Sequence, residues 1–201
     1  MPLLYQDKPE FSSFKHIAGI DEAGRGPWAG PVVASAVILP KGYIHPDIND
    51  SKQLSESKRE QLFNIIMQDA LAVGVGIIDA PTIDQTNILK ATKQAMHIAL
   101  KNLNIKPDFL LIDAVRLESV DTPQMPLIKG DTLALPIAAA SIIAKVTRDR
   151  IMRQSHIKYP QYRFDLHKGY GTKLHQFELD QYGPIPNWHR FSYRPLKKYV
   201  K

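Results

Sequence analysis

The chain contains no cysteine among its 201 residues. This absence excludes a disulfide framework, a zinc site built on thiolates and a cysteine nucleophile. The sequence also lacks any apolar run near the ~20 residues that a membrane-spanning helix needs. Its first fifteen residues show no basic start followed by an apolar stretch, so they are not typical of a secretory signal. We therefore expect a cytoplasmic protein with no membrane partner.

No internal repeat, low-complexity tract or Gly/Ser linker divides the sequence, which predicts a single domain over residues 1–201. A chain of this length buries roughly 70% of the surface that its unfolded form exposes, so it needs no covalent staple. We expect the core in about residues 16–155 and a basic, aromatic segment in about residues 156–201. No coiled-coil pattern or long apolar edge requires a partner, so the expected state is a monomer.

Charge is unevenly distributed along the chain. Residues 1–149 carry 15 Lys and Arg against 17 Asp and Glu, whereas residues 150–201 carry 11 against 3, a net of +8. Those last 52 residues also hold 10 of the 17 aromatic residues. A basic stretch interleaved with aromatic rings is typical of a protein that binds a polyanion with stackable bases or sugars. A solvated basic surface explains the charge equally well.

Hydrophobic periodicity predicts alternating strands and helices. The expected strands cover residues 16–21, 32–39, 72–78, 109–113 and 126–129. The expected helices are one from Ser55 or Ser57, one long helix from Asp79, one from about Leu133 to Met152, and a short one over 172–182 that Gly183 ends. This pattern favours an α/β fold with a sheet of mixed direction and the basic tail outside the core.

Four carboxylates stand next to the ends of these apolar strands. Asp21 and Glu22 end the first strand, Asp113 ends the fourth, and Asp131 precedes an alanine-rich helix. If the strands are neighbours, the acids share one small region, where like charges raise each other's pKa. A divalent cation relieves that repulsion, and Mg²⁺ or Mn²⁺ suits an all-oxygen set. Two such ions, ~3.5–4 Å apart, form the clamp used for displacement at phosphorus.

Structural roles explain each of these acids taken alone. Asp131 suits the cap of the following helix, and Asp149 suits a helical surface ion pair. Adjacent strand residues point to opposite faces, so Asp21 and Glu22 share one metal only if the strand ends or bulges there.

Glycines follow the acidic pair directly. Gly24 and Gly26 flank Arg25, a pattern that lets backbone amides approach a ligand and an arginine pair with phosphate. A plain tight turn is the structural alternative. A dinucleotide-binding loop is excluded, because the spacing is not GxGxxG and a second strand follows where a helix should begin.

At this point the sequence resembles bacterial ribonuclease HII, the type 2 ribonuclease H. The resemblance covers residues 16–195, nearly the whole chain. Its motifs are DEAGRG at 21–26, NDSKQLS at 49–55, LLIDA at 110–114, KGD at 129–131, AAASIIAKVTRDRIM at 138–152, HKGYGTK at 167–173 and YGP at 182–184. Three positions depart from the family pattern: Trp28, Ala114-Val115 and Leu135-Pro136.

The resemblance implies a ribonuclease H-like fold, with a five-stranded mixed sheet flanked by helices and a helical C-terminal segment. It implies an endonuclease that cuts the RNA strand of RNA–DNA hybrids and also cuts at single ribonucleotides in duplex DNA, leaving 5′-phosphate and 3′-hydroxyl ends. The implied metal and catalytic residues are Asp21, Glu22, Asp113 and Asp131, with two Mg²⁺ or Mn²⁺ ions. The implied substrate-binding residues are Gly24, Arg25, Gly26, Lys52, Ser141, Lys145 and Tyr170.

Within that scheme Gly24, Arg25 and Gly26 read the 2′-hydroxyl, and Tyr170 stacks on the sugar beyond the RNA–DNA junction. Lys52, Ser141 and Lys145 hold phosphates, although helix capping explains Ser141 equally well. We expect one ion chiefly on Asp21 and Asp113, which activates the attacking water, and a second on Asp131, which stabilises the leaving oxygen.

Three other functions compete with this hypothesis. A non-catalytic nucleic-acid-binding protein explains the basic tail but has no need of four acids beside its groove. Ribonuclease HIII carries an extra N-terminal domain, whereas only about fifteen residues precede the first predicted strand here. A phosphatase for small molecules leaves the basic aromatic tail unused.

Overall fold

The computed structural model describes residues 5–49 and 51–199. Within them, five strands form one mixed sheet in the order β3-β2-β1-β4-β5. The strands are β1 Ile17–Ala23, β2 Val32–Ile38, β3 Ala72–Ile78, β4 Phe109–Asp113 and β5 Gln124–Leu127. β2 runs antiparallel to β1 and β3, while β4 runs parallel to β1 and β5. The five-stranded mixed sheet is therefore confirmed.

Helices cover both faces of the sheet. They are α1 Glu56–Asp69, α2 Ala80–Gln85, α3 Ile88–Lys101, α4 Leu135–Lys158, α5 Phe164–His167 and α6 Lys173–Tyr182. α3 packs on the face formed by Ala18 and Ile20, and α1 and α4 pack on the opposite face. α4 lies so close to β1 that a Cβ at Gly19 would collide with the helix backbone. None of the described helices has the length and apolar character needed to cross a membrane.

The predicted long helix from Asp79 is wrong, because two helices occupy that stretch. Asp79 caps α2 by accepting a hydrogen bond from Thr82 N. The chain leaves helical geometry at Thr86, and the Asn87 side chain caps α3 by accepting from Lys90 N. Asn87, a residue type that favours caps over helix interiors, therefore divides one continuous apolar stripe.

Other boundaries move by a few residues. β1 continues through Asp21 and Glu22 to Ala23, because it stays paired with β2 up to the Ala23–Val33 position. β5 begins two residues earlier than predicted, at Gln124. α4 begins at Leu135, after a short 3₁₀ helix at Gly130–Thr132, and runs on to Lys158.

The C-terminal segment builds a small core of its own. Four of its side chains pack with Ala29 of the β1–β2 loop and Met152 of α4. These four are Tyr162, Phe164, Leu179 and Leu196. Most of the tail aromatics therefore pack together rather than await a ligand. The segment nonetheless lies near the end of β1 that carries Asp21 and Glu22, because Ala29 belongs to the loop that follows this strand.

Candidate active site

Strand register places two acids side by side. β1 and β4 are parallel, and Ile20 is paired with Ile112, so Asp21 and Asp113 take the next position on each strand. The β1–β4 pairing stops at that point, whereas β1 continues alongside β2. Asp21 is only 4% exposed, and the Ser141 hydroxyl on α4 hydrogen-bonds to its carboxylate.

Glu22 supplies a buried carboxylate oxygen that lacks a partner. Its side chain is 10% exposed, and no group in the described structure hydrogen-bonds to Oε2. The other oxygen, Oε1, lies 3.4 Å from Arg25 Nη1. A buried, unpartnered carboxylate oxygen is costly unless a cation binds it, so Glu22 suits a metal ligand.

The turn before α4 brings the last acid to the site. Asp113 Oδ1 accepts a hydrogen bond from Gly130 N at 2.8 Å, which fixes the Gly130–Thr132 turn against the end of β4. Asp131 in that turn is 4% exposed, and its Oδ2 lies 3.1 Å from Lys52 Nζ. The helix-cap alternative for Asp131 is wrong, because Ala134 occupies the cap position of α4.

Electrostatics links the four acids into one cluster. Burial, followed by the charges of Glu22 and Asp113, holds the pKa of Asp21 well above its ordinary value. Burial likewise raises the pKa of Glu22, with the Asp113 charge adding to it. Burial raises the pKa of Asp113, and the Asp131 charge acts in the same direction. A divalent cation is the natural counter-charge for such a set.

The donor set fits a hard cation. It consists of carboxylate oxygens, one of them buried and without a hydrogen-bond partner, and the sequence contains no cysteine. Within residues 5–49 and 51–199, no three His, Asp or Glu side chains stand together as a preformed metal cage. Arg25 and Lys52 lie against the outer acids instead.

Two arginine side chains, Arg148 and Arg190, pack against the Gly-Arg-Gly loop and fix its backbone. Gly24 has a φ of +99°, a conformation that favours glycine. A Cβ there would also collide with the Arg148 side chain. Arg190 donates to the Gly24 carbonyl at 2.7 Å and to the Arg25 carbonyl at 3.1 Å. The loop is therefore a rigid backbone surface next to the acids, which is more than a plain turn requires.

Tyr170 faces this loop from the C-terminal segment. A Cβ added at Gly26 would lie 3.9 Å from the Tyr170 ring, and the ring is 41% exposed. Lys145 Nζ and Arg148 Cζ lie 5.8 and 5.7 Å from its centroid. The structure thus brings an accessible aromatic ring and cationic groups beside the Gly-Arg-Gly loop.

The three predicted phosphate-binding side chains have different environments. Lys52 is exposed over 75% of its side chain and pairs with Asp131; Asp50 in the same motif lies outside the described residues. Ser141 is buried and shares a hydrogen bond with Ser51 at 2.9 Å, so it contacts other protein groups. Lys145 pairs with Asp149 at 2.7 Å. That pair lies in the interior rather than on the predicted surface, since Asp149 is buried.

Two buried arginines were missed by the sequence reasoning. Arg148 is fully buried and donates to the carbonyls of Ala29, Pro31 and Lys168 at 3.0–3.1 Å. Arg190, also fully buried, holds the Gly-Arg-Gly loop and the Gly30 carbonyl. Together they join the end of β1, the β1–β2 loop and residues 168–171, called here the KGYG segment. The sequence signal for Arg148 is an arginine on the apolar side of a long helix.

Trp28, one of the departures from the family pattern expected from the resemblance, lies under the KGYG segment. Its backbone N–H donates to the Gly169 carbonyl at 2.8 Å, and its backbone carbonyl accepts from Arg190 N. Its indole ring packs directly against Gly171. The larger residue is therefore accommodated as a support for Tyr170. Val115 packs at the edge of the α3-side core.

Comparisons with known proteins identify the family of this chain. The family model of ribonuclease HII matches residues 18–196. Ribonuclease HII of Syntrophus aciditrophicus is 54% identical over 181 residues, covering 90% of this chain and 85% of the relative. The Ruminiclostridium cellulolyticum enzyme is 55% identical over 199 residues, covering 99% of this chain and 77% of the relative.

A solved structure agrees with the sequence comparisons. The crystal structure of ribonuclease H2 from Pyrococcus horikoshii superposes with a TM-score of 0.76 at 28% identity, over 92% of this chain and 96% of that one. These matches favour the enzyme over a non-catalytic binding protein and over ribonuclease HIII. The chain therefore belongs to the ribonuclease HII family of metal-dependent endoribonucleases that act on RNA–DNA hybrids.

Proposed function

We propose that this ribonuclease cuts the RNA strand of hybrids and also incises duplex DNA on the 5′ side of a single embedded ribonucleotide, leaving 3′-hydroxyl and 5′-phosphate ends. The main support is the placement of four electrostatically linked acids beside two loops that suit a nucleic-acid backbone. Family membership supplies the reaction class.

Asp21, Glu22, Asp113 and Asp131 are the residues that would hold two divalent cations. Bound there, Mg²⁺ or Mn²⁺ would lower the pKa of the attacking water and stabilise negative charge on the reacting phosphate. Asp21 and Asp113 lie at the centre of the cluster, since each faces the charge of another acid. Asp131 lies at its edge and is oriented by Lys52.

The Gly-Arg-Gly loop and the KGYG segment recognise different parts of the substrate. The backbone of Gly24, Arg25 and Gly26 reads the 2′-hydroxyl, the group that distinguishes RNA from DNA. Its rigidity supports this role, because the Arg190 hydrogen bonds fix the loop before substrate arrives. Tyr170 stacks on the sugar that follows the ribonucleotide. Lys145, whose Nζ lies 5.8 Å from the centroid of that ring, is the residue that would contact a phosphate there, although its ion pair with Asp149 offsets part of its charge.

The chain works as one catalytic domain in this proposal. Residues 16–155 carry the acids and the Gly-Arg-Gly loop, whereas residues 156–201 carry Tyr170 and Arg190. Arg148 and Arg190 hydrogen-bond across the two parts. We therefore expect a protein truncated to either part alone to be inactive.

An end-labelled DNA duplex with one ribonucleotide tests the proposal. The protein is incubated with it in Mg²⁺, in Mn²⁺ or in chelator, beside an all-DNA duplex of the same sequence. We expect cation-dependent incision directly 5′ of the ribonucleotide, with a 3′-hydroxyl that a polymerase extends, and no cut in the all-DNA control. Binding without incision in either metal would contradict the proposal.

A further inference from the structure

Two buried histidines lie beneath the KGYG segment, away from the acidic cluster. His175 on α6 is 0% exposed and His189 is 1% exposed. His175 Nδ1 is 3.0 Å from the Tyr170 carbonyl oxygen. Its Nε2 is 3.0 Å from His189 Nε2, and His189 Nδ1 is 2.8 Å from Ile185 N. These three hydrogen bonds form a continuous chain from Ile185 to Tyr170.

The two ends of the chain fix the position of every proton in it. Ile185 N–H can only donate, so His189 Nδ1 accepts and His189 carries its proton on Nε2. That proton is donated to His175 Nε2. His175 therefore carries its own proton on Nδ1, and it donates this proton to the Tyr170 carbonyl, which can only accept. Each ring is neutral, and no ring nitrogen is left without a partner.

The surroundings maintain this neutral arrangement. Burial, with the neighbouring His167 and His189, lowers the pKa of His175 to about 3. Burial is also the main reason that the pKa of His189 is lowered to about 4. His167 stacks on His175 at 4.3 Å between centroids and is itself hydrogen-bonded to Glu178. The pair therefore stays intact at neutral pH.

A second histidine contact holds the other side of Tyr170. His167 Nδ1 accepts a hydrogen bond from Gly169 N at 3.1 Å. The backbone is thus held immediately before and immediately after the Tyr170 side chain. The Tyr170 N–H also donates to the His167 carbonyl, and the Tyr170 carbonyl accepts a second hydrogen bond from Thr172 N. Because Tyr170 is 41% exposed, these backbone bonds and the histidine bonds together contribute to the direction of its ring.

We propose that His175 and His189 are positioning residues, which hold the Tyr170 backbone so that its ring is oriented for stacking on the substrate. The proposal rests on the stacking role given to Tyr170 in the proposed function. The expected consequence is selective: loss of the chain of hydrogen bonds should weaken use of the substrate that needs Tyr170 most, a lone ribonucleotide in duplex DNA.

Three variants test this with two substrates, the single-ribonucleotide duplex and a long RNA–DNA hybrid. Tyr170→Ala removes the ring, His175→Phe keeps ring volume but loses both hydrogen bonds, and His175→Asn keeps a donor near the Nδ1 position. We expect Tyr170→Ala to lower kcat/KM on the single-ribonucleotide duplex by roughly 5- to 150-fold, and more than on the hybrid. His175→Phe should show the same selectivity to a smaller extent, with partial recovery in His175→Asn.

The double variant separates positioning from general stability. If His175 acts through Tyr170, adding His175→Phe to Tyr170→Ala should cause no further loss. Should His175→Phe fail to fold by circular dichroism, His189→Leu takes its place. It removes the bond that fixes the His175 tautomer, together with the bond from Ile185 N. The same selective loss is then expected.

If His175→Phe lowers kcat/KM equally on both substrates, the positioning role is overturned and the stacking role of Tyr170 stays intact. The same follows if the double variant loses more activity than Tyr170→Ala alone. If Tyr170→Ala leaves the ratio of kcat/KM on the two substrates the same as in wild type, both the stacking role and the histidine proposal are overturned.

Discussion

Asp21 is the acid of the site whose pKa is raised well above its ordinary value. It is nearly inaccessible to water, it neighbours Glu22 in sequence and Asp113 across the sheet, and both neighbours disfavour its charge. The Glu22 backbone N–H and the Ser141 hydroxyl lower the pKa of Asp21, because they hydrogen-bond to its carboxylate, but burial and the two neighbouring charges outweigh them. A folded protein carries such a residue where its function requires it, since charge repulsion of this kind lowers stability.

Replacing this charge should stabilise the cation-free protein at neutral pH. Because the folded-state pKa of Asp21 is raised, the native state binds more protons than the unfolded state between the two pKa values, and stability falls as pH rises through that interval. Asp21→Asn removes that loss. We expect a higher Tm than wild type at pH 7 in chelator, and a difference that disappears below the unfolded pKa of ~3.9.

Cations should reverse the order of stability. Mn²⁺ at about 100 times its Kd adds ~2.7 kcal/mol to a protein that binds it only when folded, so the Tm of wild type should rise and that of Asp21→Asn should change little. The exposed Asp121→Asn is the matched control and should behave as wild type. An Asp21→Asn variant that is less stable than wild type at every pH would contradict this reading of the cluster.

At the scale of elements, α4 is both a core helix and a platform for the site. Its first turns pack tightly on β1 at Gly19. Further along, Ser141 and Lys145 are four residues apart and Arg148 follows three later, so all three lie on one side of the helix. That side faces Asp21, Tyr170 and the Gly-Arg-Gly loop in turn.

Arg148 should be far harder to replace than an exposed arginine of the same helix. Lysine keeps the charge but cannot reach three carbonyls with a planar fork. Leaving buried carbonyls unpaired costs on the order of 2–4 kcal/mol, which corresponds to a Tm lower by roughly 5–15 °C in a protein of this size. We expect this loss for Arg148→Lys by calorimetry.

The control is Arg150→Lys, two residues further on, whose side chain is 44% exposed and pairs with Glu60. Exposed ion pairs contribute little, so its Tm should lie close to that of wild type. Equal Tm values for the two variants would show that the buried hydrogen bonds of Arg148 do not hold the loops together.

At the scale of the whole molecule, the sequence predicted what depends on local pattern. Asp21 and Asp113 were predicted to lie near each other because acids stand out against apolar strands, and the strand register places the two side by side. The loop supports were not predicted, since they join residues such as Gly24 and Arg190 or His175 and His189 that no local pattern connects.

The aromatic tail shows the same limit. Composition alone suggested rings for stacking on nucleic acid, yet Tyr162 and Phe164 are buried in the C-terminal core, and Tyr170 is the exposed ring that faces the Gly-Arg-Gly loop. Whether a ring packs or projects is decided by tertiary contacts rather than by residue type. The division of one long helix at Asn87 likewise depended on a cap competing with an uninterrupted apolar stripe.

The most direct test of the central claim, that the acids of β1 and β4 hold the cations for hydrolysis, is the incision rate of Asp113→Asn on the single-ribonucleotide duplex. Loss of a residue that merely supports a metal ligand lowers activity roughly 10–100-fold, so loss of a ligand should lower it further. We predict at least a ~100-fold fall at saturating Mg²⁺, with circular dichroism and Tm showing a folded protein. Near-normal incision by folded Asp113→Asn would contradict the claim.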